Sequence, residues 1–472
     1  MGRRRQPVTE YQLSLFLGDG RAAACLSEEG TGGTGAVSAE EPQAPTAWSG
    51  KRALTQDLME RTCDPKNLNR AYKKVKANGG APGVDGRSVT DLRGWLAEHK
   101  EELIEALLMG SYQPQPVREV EIPKPGGGKR QLGIPTVLDR LVQQAILQVL
   151  EPLLDPTFSE SSYGFRPGRG AYQALRQAQD SVASGREIVV DIDLEKFFDR
   201  VNHDVMMSRL ARHIGDKRLL RIIRRFLEAG ILRQGVCVQR YEGTPQGGPL
   251  SPLLANLLLD DLDRELEHRG HCFCRYADDC NIYVRSAAAG QRVMASVTAF
   301  LEARLRLRVN RGKSAIARVE ERQFLGYRLL PGGHLRIAPE SLRRVKERVK
   351  RTTRRNRGLS LQRMIQDLNE YLPGWATYFR WATRDRPFRH LDAWIRRRLR
   401  CVRLKQRKRS YSIARFLQSL GVPTRQAWLL ARSGKGWWRK SGSPQASEAM
   451  TNQWFRNQGL LSLTDKIAAL RH

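Results

Sequence analysis

The chain has 472 residues, a length suited to about three domains, and carries 81 Lys and Arg against 49 Asp and Glu, a net charge of +32. Residues 341–472 hold 32 basic and 7 acidic side chains, against 49 and 42 in residues 1–340, and 25 of those 32 are Arg. A guanidinium fork suits bidentate phosphate contacts, so a nucleic-acid backbone is expected as partner in preference to a small acidic substrate. No run approaches the roughly 18 apolar residues that span a bilayer, so a soluble protein with no membrane partner is expected. The seven Cys form no Cys-x-x-Cys pair, which suits a reducing cytoplasm. Cys272, Cys274 and Cys280 beside His271 have the wrong spacing for a zinc knuckle and read as alternate positions on a half-buried strand.

In chain order, residues 1–56 read as a disordered leader, rich in Gly, Ala, Ser and Glu. Residues 57–110 read as helices interrupted by the turn-forming run Gly79 to Gly86. Val117–Ile122 and Gln131–Ile134 read as a hairpin with the basic tip Pro125-Gly-Gly-Gly-Lys129-Arg130. Apolar residues at helical spacing from Leu138 to Leu150 predict a helix stopped by Pro152. Ile188–Asp193 is a β-branched run in which Asp191 and Asp193 share one face. Helices are predicted over 205–214 and 216–229, and a longer one from Ser251 to Gly270. Two alternating strands, Cys272–Tyr276 and Asn281–Arg285, follow, joined by Ala277-Asp278-Asp279-Cys280. The order predicts an α+β fold with helices on one face of a small antiparallel sheet. Beyond Pro339, basic helices are predicted over 342–355, 361–372 and 388–408. In the last, Phe388, Leu391, Ile395, Leu399 and Val402 form a stripe, and Arg396, Arg397, Arg400, Arg403 and Arg407 fall off it, a face expected to grip phosphate. Residues 411–472 place Trp428, Trp437, Trp438 and Trp454 among Arg and Lys, to stack on bases or to fill a core.

Two adjacent carboxylates in one tight turn are costly, since at about 5 Å they repel by roughly 3 kcal/mol at an effective dielectric of 20. A divalent cation reverses that sign. If Asp193 converges on Asp278 and Asp279, three carboxylates can hold two Mg²⁺, which would activate a 3′-hydroxyl and stabilise a pyrophosphate leaving group. Asp260-Asp261 is a similar pair and reads as a solvated helix face.

Tyr276-Ala-Asp-Asp279 resembles the polymerase signature of reverse transcriptases. The blocks around it resemble, in order, those of bacterial group II intron reverse transcriptase/maturases: Gly83-Val-Asp-Gly86, Ile122-Pro-Lys124 through Lys129-Arg130 to Pro135, Ser162-Tyr-Gly-Phe-Arg-Pro167, Asp193 through Phe198-Asp199 to His203, Thr244-Pro-Gln-Gly-Gly-Pro-Leu-Ser-Pro252, Lys313-Ser314 and Phe324-Leu-Gly-Tyr327. The likeness runs from about residue 60 to the end.

It implies a right-hand polymerase, with fingers and palm within 111–340 after an N-terminal extension, a helical thumb and maturase domain over 341–410 and a DNA-binding tail over 411–472. Asp193, Asp278 and Asp279 are implied as catalytic residues and ligands of two Mg²⁺, with Mn²⁺ as substitute. The pattern places the first ligand five residues before Phe198, favouring Asp193 over Asp191. Lys124, Lys129, Arg130, Phe198 and Gln246 are implied to bind the deoxynucleotide triphosphate, with Phe198 excluding a 2′-hydroxyl and Gln246 approaching closely because its glycine neighbours lack bulk. Phe324, Leu325, Gly326 and Tyr327 are implied to hold the primer end, and Gly83 to Gly86 to touch the template. The implied activity is RNA-directed DNA synthesis, with group II intron RNA, an RNA template with DNA primer and target DNA as partners, and a cytoplasmic, nucleoid-associated location. Many relatives continue into a Cys/His-rich endonuclease, whereas only His472 follows Cys401 here, so no second-strand nicking is expected. Rival readings are a purely RNA-binding splicing cofactor and a domesticated polymerase of DNA repair or phage defence.

Overall fold

A computed structural model describes residues 57–123, 129–233 and 236–471. The expected leader and Lys124 lie outside these residues, as does the side chain of Arg130. The described residues divide into two compact units: one runs to Arg322 and includes the Pro331–Gly333 turn, and the other comprises Gln323–Leu330 and the chain from His334 onward.

The first unit begins with α1 (Leu58–Cys63), α2 (Pro65–Asn78) and α3 (Leu92–Leu108). The carboxylate of Asp64 caps α2 by accepting from the amides of Lys66 and Asn67. A hairpin of β1 (Val117–Pro123) and β2 (Lys129–Ile134) follows, then α4 (Val137–Leu154), α5 (Ala171–Ala183), β3 (Ile188–Ile192), α6 (His203–His213) and α7 (Lys217–Glu228). A short hairpin, β4 (Ile231–Arg233) and β5 (Val236–Val238), precedes α8 (Ser251–His268), β6 (Cys272–Tyr276), β7 (Asp279–Val284), α9 (Ala287–Arg304) and β8 (Ala315–Arg318). Pro152 does not stop α4 as expected. It removes one backbone bond inside the last turn, and buried Leu154 keeps that turn packed.

Two four-stranded sheets result. One has the order β2-β1-β4-β5, with β1 and β4 parallel. The other is antiparallel throughout, in the order β6-β7-β3-β8. Its register places Val190, Ile192, Phe273 and Ile282 on one face, in the hydrophobic core with the leucines of α8 and with Val293, Val297 and Leu301 of α9. Val189, Cys274 and Tyr283 belong to the other face and are buried too, so the sheet is covered on both sides away from its acidic end.

The second unit contains the hairpin β9 (Tyr327–Leu330) and β10 (His334–Ile337), then α10 (Pro339–Thr352), α11 (Leu361–Phe379) and α12 (Arg386–Arg407). After them come α13 (Ser410–Ser419), α14 (Thr424–Arg432), α15 (Trp437–Lys440), α16 (Pro444–Ala449), α17 (Asn452–Asn457) and α18 (Leu463–Arg471). Helix α11 runs seven residues past its expected end, through Pro373, because Trp375, Ala376 and Phe379 are buried and outweigh the missing bond. Among the described residues no helix is long and apolar enough to cross a membrane.

Candidate active site

The acidic turn is tighter than expected. β7 begins at Asp279, which pairs with Tyr276, so only Ala277 and Asp278 form the loop. Ala277 has φ 58°, a left-handed conformation that a residue with a Cβ adopts at some cost. Arg275 holds it there. This guanidinium is fully buried, donates to the carbonyl of Ala277 at 2.9 Å, and also reaches Asn256 Oδ1 and Ser162 Oγ. Its counter-charge is Asp263 of α8, equally buried, bound through both Nε and Nη2. The Ser162-Tyr163-Gly164 segment lies against the same turn: the amide of Tyr163 donates to the carbonyl of Arg275, and Asn256 donates to the carbonyl of Gly164. A Cβ on Gly164 would stand 2.3 Å from the nitrogen of Ala277, which explains glycine at that position.

The register then brings the distant acid in. Ile192 of β3 faces Cys280 of β7 as the last pair of the register, so Asp193 leaves β3 at the strand end where β7 begins with Asp279, and its charge is felt there. The backbone of Asp193 is fixed by Ser314, whose hydroxyl accepts its amide at 3.0 Å, and by the amide of Asn310, which donates to its carbonyl. Lys313 Nζ lies 3.4 Å from Asp193 Oδ2, close enough for an ion pair but without hydrogen-bond geometry, so this buried oxygen has no hydrogen-bond donor. Asp191 is engaged otherwise: Arg322 donates to its Oδ2 through Nε at 2.8 Å and Nη2 at 2.6 Å. Asp279 is open to solvent at the strand end yet crowded by protein. That crowding, then the charges of Asp278, Asp191 and Asp193, push its pKa up to about 7.

Among the described residues no three His, Cys, Asp or Glu side chains stand close enough to hold a metal ion as placed. The chemistry of the donor set nonetheless fits a hard divalent cation: carboxylates only, mutually repelling, one with an oxygen lacking a donor. The other acidic pair differs. Asp260 accepts from the amide of Ser159 and Asp261 pairs with Arg209, so these are bound groups, correcting the expectation of a solvated face.

The remaining residues expected to contact the nucleotide have partners of their own. Phe198 is buried, packed edge-on against Phe197 at 5.1 Å, and its carbonyl accepts from the amide of Thr244 at 2.6 Å. His203 contacts the carbonyl of Gly243 at 2.7 Å, and burial lowers its pKa, so the ring is neutral and donates through Nε2. The glycines beside Gln246 have a structural reason: a Cβ on Gly247 would meet the carbonyl oxygen of Gly133, and one on Gly248 would meet Gln143. Gln246 itself keeps a buried Oε1 without a donor. Lys129 is paired across the hairpin with Glu121.

In the second unit, Phe324 and Tyr327 are core residues joined by reciprocal backbone bonds, which leaves only the turn Leu325-Gly326 at the surface. The Arg face of α12 has partners within its own unit. Arg397 stacks on Trp438, Arg403 and Arg407 lie over Phe416, and Arg400 gives two hydrogen bonds to the carbonyl of Met450. All five, Arg396 included, are half-buried. Burial, then the charge of Arg396, brings Arg400 down to about 10. The C-terminal helices therefore cover the face expected to grip phosphate, using cation–π contacts. Neither this cover nor the Arg275–Asp263 pair was among the expected functional features.

The chain matches the family described as reverse transcriptase (RNA-dependent DNA polymerase) over residues 122–329, and the one described as group II intron, maturase-specific domain over residues 342–420. It is 34% identical over 316 residues to Protein YkfC of Escherichia coli (strain K12), covering 58% of this chain and 83% of that protein. It is 37% identical over 195 residues to Group II intron-encoded protein LtrA of Lactococcus lactis subsp. cremoris, covering 41% of this chain and 32% of LtrA, so the match spans under a third of that protein. A solved chain titled "Partial Cas6-RT-Cas1--Cas2 complex" aligns at 27% identity over 52% of this chain and 42% of its own length, with a TM-score of 0.35.

The acidic cluster has a thermal signature. With Asp279 raised from 3.8 to about 7, the unfolded state loses its proton first on raising the pH, so stability falls between about pH 4 and 7 and stays level above. The metal-free melting temperature should decline over that window, and Asp279→Asn should flatten the decline. Equal slopes for the two proteins would contradict it.

Proposed function

The chain belongs to the family of group II intron reverse transcriptases and maturases, and from that membership we propose that it synthesises DNA on an RNA template and, by binding, supports splicing and retrohoming of a group II intron. The observation that supports the catalytic part is the Ile192–Cys280 pair, which brings the strand end followed by Asp193 to the one that begins with Asp279, next to the turn bearing Asp278. In this reading Asp193, Asp278 and Asp279 hold two Mg²⁺, with Mn²⁺ able to substitute. When bound, the ions lower the pKa of the primer 3′-hydroxyl and neutralise charge on the departing pyrophosphate.

The protein's own groups do the rest. Arg275 fixes the turn's backbone, so two of the acids need no reorganisation when substrate arrives. Arg322 keeps Asp191 neutralised, leaving three carboxylates for the cations. Lys313 offsets charge beside Asp193 until a cation enters. Phe198, fixed by Thr244, fills the space a 2′-hydroxyl would need and so selects deoxynucleotides. Gln246 offers its unpaired oxygen to the incoming nucleotide, while Lys124, Lys129 and Arg130 attract the triphosphate, Lys129 exchanging Glu121 for it. Leu325-Gly326 supports the primer end. The basic helices of the second unit bind the primer–template duplex, target DNA and intron RNA through backbone and shape, since A-form RNA hides its major groove.

Primer extension on an RNA template tests this reading: Asp278→Ala should lower the rate by at least about a thousandfold while retaining RNA binding. Equal inactivity of wild type and variant would leave only an RNA-binding cofactor. Phe198→Val should raise ribonucleotide use relative to deoxynucleotide use at least about tenfold. Unchanged sugar selectivity would remove Phe198 from that role.

A further inference from the structure

The palm sheet has a second end, and it carries the opposite charge. Strand β3 is preceded by Arg186 and Glu187 and followed by Asp193, and the seven steps from Arg186 to Asp193 at about 3.3 Å each put that first end on the order of 20 Å from the acids. There, where β6 begins and β7 ends, a groove of about 520 Å³ opens between the strand ends and α9. Its lining contains Arg186, His271, Arg285 and Arg292 over a floor that includes Tyr283 and Val293, and no Asp or Glu. Among the described residues Arg285 and Arg292 have no carboxylate or hydrogen-bond partner, and Arg186 reaches only the hydroxyl of Ser184.

Guanidinium groups that line one concave floor with no carboxylate among them attract an anion. Its charged groups are guanidinium forks, which suit the oxygens of a phosphate backbone. It is open, so it admits a continuous strand crossing it. We infer that this groove, on the palm end remote from the carboxylates, is a docking site for the phosphate backbone of folded intron RNA, separate from the path of primer and template. The inference rests on the proposed maturase reading for the identity of the RNA.

The test uses the full chain with Arg186, Arg285 and Arg292 all replaced by Ala, beside a second variant with all three replaced by Lys. Binding of a folded group II intron RNA is titrated over a range of salt, and extension of a short RNA-templated DNA primer is measured in parallel. The Ala variant should bind the intron RNA about tenfold more weakly near 0.15 M salt, and its log–log salt dependence should shallow by about 2 units. Its primer extension should equal wild type, and the Lys variant should bind nearly as wild type does. Unchanged affinity and slope would overturn the inference. So would a parallel loss of primer extension, or a loss confined to duplex DNA. Failure of primer extension in the wild type would instead strike the polymerase reading and leave the groove's binding result to stand alone.

Discussion

A charge buried without compensation is among the most destabilising features a protein can carry, and Arg275 escapes that cost only through Asp263. Both side chains are wholly removed from solvent, one on the core face of β6 and one on α8. The pair does more than neutralise itself. The guanidinium has donors left over, and it spends them on the carbonyl of Ala277, on Asn256 and on Ser162. The turn bearing Asp278 is thus tied to helix α8 and to the Ser162–Gly164 segment at once. An apolar pair of similar volume would pack as well and would leave the left-handed Ala277 without its anchor. The ion pair is best understood as a positioning device for an acidic turn that would otherwise relax away from its own repulsion.

The second unit applies the same economy of charge in another form. Its Arg-rich helix α12 does not present a bare cationic ridge, because rings of the following short helices, Phe416, Trp438 and Phe455, lie under its guanidinium groups. Residues beyond 411 thereby take part in the packing of the second unit. Cations free to meet nucleic acid there must be sought on other faces.

Much of this was legible in the sequence where one local rule governs. The β-branched alternation from Ile188 and the Cys-Phe-Cys-Arg-Tyr run gave their strands within a residue at most ends, and the ordered blocks around Tyr276–Asp279 pointed to the acids. What escaped depends on contacts between distant segments. Arg275 shares a strand face with Phe273, and Asp263 sits among Leu259, Leu262 and Leu266; each looks like an isolated polar intrusion until the fold brings them together. Asp191 and Asp193 are equivalent by alternation, and the contact that separates them, Arg322 on Asp191, comes from more than a hundred residues on. Pro152 reads as a stop, and the helix over 361–372 is bounded short of Pro373, because the local cost of proline is visible whereas the burial of Leu154 and Phe379 that outweighs it is not. An amphipathic stripe likewise assigns the Arg face of α12 to water, since nothing in the stripe reveals a second layer.

The claim that the Arg275–Asp263 pair exists to hold the acidic turn is most directly tested by replacing it with a neutral pair, Arg275→Met with Asp263→Leu, and measuring thermal stability and primer extension on one preparation. Because a packed apolar pair can match or exceed a buried ion pair by about 1–4 kcal/mol, the account predicts a melting temperature at or above wild type together with at least about a hundredfold loss of extension rate. A stable double variant that extends primers at the wild-type rate would contradict it.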